Sequence, residues 1–231
     1  ISFAGYLPGG CVCRRQSYRK ENLCTGGVVT MNPTDPFVQL YGHLDAALLA
    51  DEQFVSEFKN SATLLKVQKG DYLLRAGQVC SEGYFINKGL FLHLFINDQG
   101  NESVMGFSVD NFYPFLSSIS YFTQTPSDFE ILAMEDAELI CISRTQIEML
   151  SSRYPLFASF YQRVMMMVIS KIYTMYAARQ SHTAEGFMEY LYNEYIWIVN
   201  RVPDKYIARF MGISNAWYCK LKKRLFDSGK V

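Results

Sequence analysis

The stretch from residue 64 to residue 143 is broken by turn signals at short intervals, and this limits the folds it can adopt. The segments between the turns are rich in β-branched or aromatic residues and too short for ordinary helices. The turn signals are Lys69-Gly70-Asp71, Ala76-Gly77-Gln78, Asn87-Lys88-Gly89 and Asn97-Asp98-Gln99-Gly100. The segments between them include Tyr72–Leu74, Tyr84–Ile86 and Leu90–Ile96. The pattern predicts short strands in an antiparallel sandwich or barrel.

Helical patterns flank the predicted strands on both sides. Between Phe37 and Leu65, apolar residues recur at helical spacing. They are Leu44, Leu48, Leu49, Phe54, Val55 and Phe58. After a closing strand at Leu139–Ile142, Ser143 is expected to cap a helix running from Arg144 to Leu150. The sequence therefore predicts an α+β fold with a first domain over residues 37–150.

The net charge of zero conceals a segregated distribution. Residues 31–200 hold 10 basic and 19 acidic residues, a net charge of −9. Residues 201–231 hold eight basic and two acidic residues, a net charge of +6. An acidic body with a basic end predicts two separate roles, and the basic end is where a polyanion would bind.

The first 30 residues show neither helical nor alternating periodicity. Met31 resembles a natural start, so we expect residues 1–30 to be either sequence upstream of it or a disordered arm. The thiols of Cys11, Cys13 and Cys24 lie here, and their spacing matches none of the usual zinc or iron–sulfur runs. The spacing favours unused thiols over a cluster completed by Cys80 or Cys141.

The chain offers little catalytic chemistry. It has three histidines, and only His93 lies in the predicted barrel, too few for a two-His-one-carboxylate site. No nucleophile-elbow, zinc-protease or phosphate-loop motif occurs. The longest apolar run is Val164–Ile169, far short of the roughly 20 residues of a membrane span. We therefore expect neither an enzyme, nor a metal site, nor a membrane protein, and we expect His93 to line the barrel or face solvent.

Residues 151–180 predict one long helix that is apolar almost all round. Such a helix must be covered on two sides. Five of its residues step by 4, 3, 4 and 3 along a heptad seam, and we expect them to form a two-fold dimer interface. They are Tyr161, Met165, Val168, Ile172 and Met175. The alternative is a central core helix of a monomer.

The basic end, within residues 181–231, carries the pattern of a helix-turn-helix. Gly212 suits a left-handed helix end, and Ser214 suits the cap of the next helix. On a helical wheel Tyr218, Leu221 and Leu225 define the buried side. The opposite side is cationic, as the DNA major groove and its phosphates require. The residues expected to contact DNA are Ser214, Asn215, Ala216, Trp217, Lys220, Lys223 and Arg224.

Taken in this order, the motifs resemble the Crp/Fnr family of bacterial transcription regulators over residues 37–231. The resemblance rests on the runs Lys69–Gly77 and Tyr84–Gly89 and on the predicted helix-turn-helix. The run Lys205–Ser214 is similar to members from the Bacteroidetes. The resemblance implies a β-roll effector domain of the cyclic nucleotide-binding type, a dimerisation helix and a winged helix-turn-helix.

The same resemblance implies a set of partners. They are double-stranded palindromic DNA, a second copy of the chain, RNA polymerase, and a small-molecule effector of unknown identity, all in the cytoplasm. The chain stops at Val231, where the wing should begin, so we expect the wing to be minimal or truncated.

Two departures from the family pattern modify these expectations. Cyclic-nucleotide binders of the family carry a Gly-Glu pair and an Arg-Ser pair around the phosphate, whereas Pro114, Phe115 and Pro126 stand at those positions here. Cyclic AMP is therefore not expected, since its buried phosphate would lack a cation. An apolar or aromatic ligand, or none, is expected in a pocket lined by Phe85, Phe112, Phe115 and Phe129.

The second departure lies in the recognition helix. Where members of the family that read DNA usually carry Glu, this chain has Ala216, so the carboxylate that could accept a hydrogen bond from cytosine is absent. Asn215 could still pair with adenine and Lys220 with guanine. Ala216 and Trp217 favour the rival hypothesis of a ligand-binding or protein-interaction module whose DNA-binding end has degenerated.

Overall fold

The structure is a computed structural model that describes residues 34–96, 100, 102–110, 112 and 114–229. The chain divides into two compact units, Ile1–Thr30 and Met31–Val231. The predicted extension at residues 1–30, with Cys11, Cys13 and Cys24, lies outside the described residues. All of the following features belong to the second unit.

Three short helices open the described chain: α1 (Val38–Tyr41), α2 (Ala46–Leu49) and α3 (Glu52–Ser61). The continuous helical pattern predicted up to Leu65 is therefore divided, and the helices end at Ser61. Asp45 accepts a hydrogen bond from the backbone N–H of Ala47, and Asp51 accepts from those of Gln53 and Phe54. Each aspartate begins a new helix, because its carboxylate satisfies otherwise unpaired N–H groups.

Within the described residues, eight strands form two four-stranded antiparallel sheets. Sheet I has the order β1-β8-β3-β6, and sheet II has the order β2-β7-β4-β5. The strands are β1 (Ala62–Val67), β2 (Tyr72–Leu74), β3 (Glu82–Lys88), β4 (Leu90–Ile96), β5 (Glu102–Val109), β6 (Phe115–Leu116), β7 (Phe129–Ala133) and β8 (Ala137–Ser143). The predicted antiparallel β-roll is confirmed, and with it the mixed helix-and-sheet class.

The turn at Gly89 shows why glycine is needed between β3 and β4. Its φ of +129° lies outside the range of ordinary side-chain-bearing residues. A Cβ at this position would stand 2.5 Å from the Cβ of Ala137, the first residue of β8. The glycine therefore permits both the turn from β3 of sheet I to β4 of sheet II and the close approach of this turn to the start of β8.

Seven more helices complete the described fold. They are α4 (Ile119–Thr123), α5 (Arg144–Arg153), α6 (Pro155–Ser181), α7 (Ala184–Glu194), α8 (Ile196–Arg201), α9 (Asp204–Met211) and α10 (Asn215–Asp227). Ser143 caps α5 as predicted, although α5 continues past Leu150 to Arg153. The 27-residue helix α6 is about 40 Å long and begins with Pro155 in its first turn.

Helices α7–α10 pack on the outer face of sheet II. Leu90, Leu92 and Leu94 of β4 are almost completely buried, and they share one apolar cluster with Leu191 of α7 and Ile207 of α9. The intervening Phe91 belongs to the other cluster, inside the roll. Strand β4 is thus covered on both faces, which explains its nearly continuous apolar sequence.

In the part of the chain that the structure describes, no helix is long and apolar enough to cross a membrane. No strand follows α10 in the described residues, which end at Gly229, so the β-wing stays a prediction.

Candidate functional site

Helices α9 and α10 meet at the tight turn that the sequence predicted. Gly212 has a φ of +70° and ends α9, and its N–H bonds back to the carbonyls of Ala208 and Arg209. Ser214 then caps α10, because its hydroxyl accepts a hydrogen bond of 3.2 Å from the N–H of Trp217. Local capping chemistry therefore fixes the angle at which α10 leaves the turn.

The orientation of α10 is also as the wheel predicted. Tyr218, Leu221 and Leu225 are completely or almost completely buried. The residues expected to contact DNA are all exposed, and we call them the α10 surface. They are Ser214, Asn215, Ala216, Trp217, Lys220, Lys223 and Arg224.

The cations of the α10 surface have no carboxylate partners among the described residues. Lys220, Lys223 and Arg224 make no ion pair there, whereas Lys222, on the side towards α9, binds Asp204 at 2.9 Å. The Arg224 guanidinium lies 5.3 Å from the centre of the Trp217 ring, a cation–π contact. The surface thus presents three uncompensated positive charges beside an aromatic ring.

On α6 the apolar side chains left exposed are displaced from the predicted seam. Of the predicted interface residues, Ile172 is exposed, whereas Tyr161, Met165, Val168 and Met175 are half-buried. Tyr161 and Met165 pack against the core of the roll, and Met175 packs against the cluster of the C-terminal helices. The most exposed large apolar residues form what we call the α6 face. They are Met166, Ile169, Ile172, Tyr173 and Tyr176.

The four phenylalanines predicted to line an effector pocket do not come together. Phe85 and Phe115 are in contact, with ring centroids 5.3 Å apart, and His43 packs on both. Phe112 instead packs on Tyr195 and Trp197. The fourth pairs with Phe95 on the neighbouring strand of sheet II; it is Phe129. The rings therefore occupy three separate places.

We call residues 111–128, where the family pattern has its Gly-Glu and Arg-Ser pairs, the cassette segment. Its buried serines are Ser118, Ser120 and Ser127. The hydroxyls of the first and last lie 3.1 Å apart, and the hydroxyl of Ser120 accepts a hydrogen bond from the N–H of Cys80. The hydroxyl of Ser127 also donates to the carbonyl of Phe129. The hydroxyls are thus satisfied within the protein.

His93 lines the interior of the roll, one of the two predicted positions. Its Nε2 lies 2.9 Å from the hydroxyl of Ser108, and burial lowers the pKa of the imidazole to about 4. The ring is therefore neutral at physiological pH. Among the described residues no group of three or more His, Cys, Asp or Glu could hold a metal ion. Within that part of the chain, Cys80 is buried, Cys141 is half-buried and Cys219 is exposed.

Comparison with known proteins places this arrangement. Residues 64–154 match the cyclic nucleotide-binding domain family, from β1 to the start of α6. No curated protein matches the chain. Among solved structures, a regulator of the Crp/Fnr family from Eubacterium rectale is similar, with 15% identity, a TM-score of 0.60, and coverage of 82% of this chain and 87% of that one. The chain has the fold of the Crp/Fnr transcription regulators.

Two further structures agree with this assignment. FixK2 from Bradyrhizobium japonicum has 13% identity and a TM-score of 0.59, over 73% of this chain and 86% of that one. The c-di-GMP responsive global regulator CLP of Xanthomonas campestris has 14% identity and a TM-score of 0.58, over 78% of this chain and 93% of that one. An alignment that ended at residue 154 could not cover these shares of the chain. The Crp/Fnr likeness therefore includes helices of the C-terminal half. The resemblance inferred from the sequence is confirmed at this level, and the likeness to Bacteroidetes members stays a prediction.

Proposed function

We propose that this protein is a dimeric, DNA-binding transcription regulator of the Crp/Fnr type. The observation that carries the proposal is the α10 surface. It combines a tight helix–turn–helix with an outward face whose three cations have no acidic partners in the described chain. Such a helix fits the major groove, where cations near its exposed side neutralise phosphates and side chains of its first turns meet base edges.

The α6 face supplies the second half of the mechanism. Its five exposed apolar side chains would be covered by α6 of a second copy, which would present two α10 surfaces related by a two-fold axis. Two half-sites of a palindrome about 34 Å apart would then be bound together. The predicted seam and the α6 face share Ile172. The proposed interface is therefore shifted from the predicted seam towards the exposed side of α6.

The first test is selection of duplex DNA from a random pool, followed by measurement of affinity at two salt concentrations. An enriched palindrome supports the proposal. We expect Lys220→Ala to weaken binding by about 1–3 kcal/mol and to relax the preference at one base position. We expect Lys223→Ala to weaken binding to all sequences equally, since it removes a phosphate contact. The salt dependence of the affinity should become less steep by about one unit of slope.

Lys66→Ala serves as the matched control for these variants. Lys66 is exposed on β1 in sheet I and lies outside the C-terminal helices, so its removal should leave DNA affinity unchanged. Equal losses from Lys220→Ala on every sequence would argue against base readout. If no sequence is enriched while a protein partner is bound through Trp217, the rival interaction-module hypothesis replaces ours.

We further propose that the roll does not respond to cyclic AMP. Residues 111–128 contain no Lys, Arg or His, and the buried serines of this segment are bonded to each other and to the backbone. A cyclic phosphate placed among these serines would lose its hydration without gaining a cation from the segment itself. The CLP regulator is c-di-GMP responsive by name, and the same charge argument applies to that ligand.

The corresponding prediction is an unchanged melting temperature. Cyclic AMP and c-di-GMP at millimolar concentration should each shift the Tm of the protein by less than about 1 °C, because only a ligand that binds the native state stabilises it. Differential scanning calorimetry measures this directly. A rise of several degrees with either nucleotide would refute the proposal.

A further inference from the structure

The helices that carry the α10 surface are fastened to the roll by an aromatic contact. Phe107 of β5 lies with its ring centroid 4.9 Å from that of Phe210 of α9 and 6.3 Å from that of Trp197 of α8. Together with the buried leucines of β4, this contact joins α7–α10 and sheet II into one apolar cluster. We call this interface the docking contact.

Ion pairs close the edge of the docking contact. Arg201, the last residue of α8, donates to both carboxylate oxygens of Asp110, at 2.8 and 3.2 Å, and also to Glu135. Bidentate arginine–carboxylate pairs add geometric specificity as well as energy. Asp110 is mostly buried, with 11% of its side chain exposed, and accepts a further bond from the N–H of Gly89. A second pair, between Arg209 of α9 and Glu102 of β5, lies at the solvent-exposed edge.

The Arg201 pair stands next to the cassette segment and next to α6. Phe112, two residues beyond Asp110, packs on Trp197 of α8, with 5.5 Å between ring centroids. The backbone carbonyl of Phe112 accepts a hydrogen bond of 2.8 Å from Lys171 of α6. A displacement of Asp110 and Phe112 would therefore act on α8 directly and on α6 through Lys171.

From this geometry we propose that Arg201 is the latch of an inhibitory contact, which holds the helices that carry the α10 surface against the acidic roll. The inference rests on the proposed DNA-binding function. Docking pairs two cations of the basic end with roll carboxylates and keeps that end beside a roll whose net charge over residues 37–150 is −9. Release of the latch separates the cations from this roll and frees the orientation of α10. Affinity for DNA should therefore rise, because a negatively charged roll beside the binding surface repels the negatively charged DNA.

The chain contains its own reporter of docking. It has two tryptophans, Trp197 inside the docking contact and Trp217 on the α10 surface. In the Trp217→Phe background, emission therefore comes from Trp197 alone. Loss of the contact exposes this ring to water, so the emission should shift to longer wavelength and acrylamide should quench it more. DNA affinity is measured separately in chains that keep Trp217.

The experiment compares Arg201→Gln and Asp110→Asn with the double variant. Each single variant should expose Trp197 and raise affinity for duplex DNA about tenfold, within the usual range of coupling between sites. The double variant should match Arg201→Gln, because the Arg201–Asp110 pair is already absent in that single variant. Arg153→Gln is the control: it removes an ion pair of 2.9 Å with Glu57, outside the docking contact, and should change neither readout.

The outcomes separate this inference from the function on which it rests. DNA binding with unchanged Trp197 emission in both single variants would overturn the latch alone. An exposed Trp197 with equal or weaker DNA affinity would overturn its inhibitory role. Failure of the wild type and every variant to bind any duplex would overturn the DNA-binding function and the inference together. Cooperative thermal melting of each variant shows that the chain has folded.

Discussion

The double substitution Ile169→Glu and Tyr173→Glu is expected to convert the dimer into monomers and to lower affinity for a palindromic site at least 100-fold. The two side chains are 46% and 70% exposed and lie one turn apart at the middle of the α6 face. In a dimer they would be covered by the partner helix, and an unpaired carboxylate in such an interface costs several kcal/mol. A monomer also loses the gain of roughly 100-fold or more that comes from binding two half-sites at once.

Sedimentation equilibrium over a range of protein concentrations measures the first effect, and titration of a one-palindrome duplex measures the second. Ser170→Glu with Thr174→Glu is the matched control. It adds the same charge at the same spacing on another exposed side of α6. We expect this control to remain dimeric. If the Ile169 and Tyr173 double variant also sediments as a dimer, the subunits meet through another surface.

The same comparison distinguishes the α6 face from the seam predicted by heptad spacing. Val168 and Met175 are half-buried, and Met175 packs within its own chain against the C-terminal cluster. Charging these positions should destabilise the monomer's fold. Heptad spacing alone could not distinguish the seam from the α6 face, because α6 is apolar almost all round. Which of its sides the roll covers depends on long-range packing.

The parts of the fold that depend on local chemistry were predictable. The turn at Gly212, the cap at Ser214 and the buried side of α10 follow from residues within a few positions of one another. The β-roll follows similarly from glycine turns at regular spacing. The three short helices before residue 62 were missed as separate elements, although Asp45 and Asp51 are both good N-cap residues that carried the signal.

The parts that depend on long-range packing were not predicted. Four phenylalanines from distant segments were assigned to one pocket by their residue type, and the structure distributes them among three places. The docking contact was also missed, although β4 carried a usable signal. An alternating strand has one buried face, whereas Leu90–Ile96 is apolar at nearly every position and requires a cover on both faces.

Tyr218→Ala is expected to lower the free energy of unfolding by about 3–5 kcal/mol, whereas Trp217→Ala on the neighbouring position should cost about 1 kcal/mol or less. Tyr218 has no exposed surface and is the largest fully buried side chain among the described residues, so its removal leaves a cavity between α10 and the cluster beneath it. Trp217 is 37% exposed and contacts Arg224 at the surface. Urea denaturation followed by far-ultraviolet circular dichroism measures both values.

The pair of variants also tests whether α7–α10 and sheet II unfold together. Tyr218 belongs to the same apolar cluster as Leu90 and Leu92 of β4, so loosening α10 should loosen the cover of sheet II. In Tyr218→Ala made in the Trp217→Phe background, emission of Trp197 and circular dichroism should therefore change at the same, lower urea concentration, as in a single cooperative transition. If Trp197 becomes exposed at a distinctly lower urea concentration than the roll unfolds, the C-terminal helices detach as an independent unit. Latch release would then require only the free energy of that first transition.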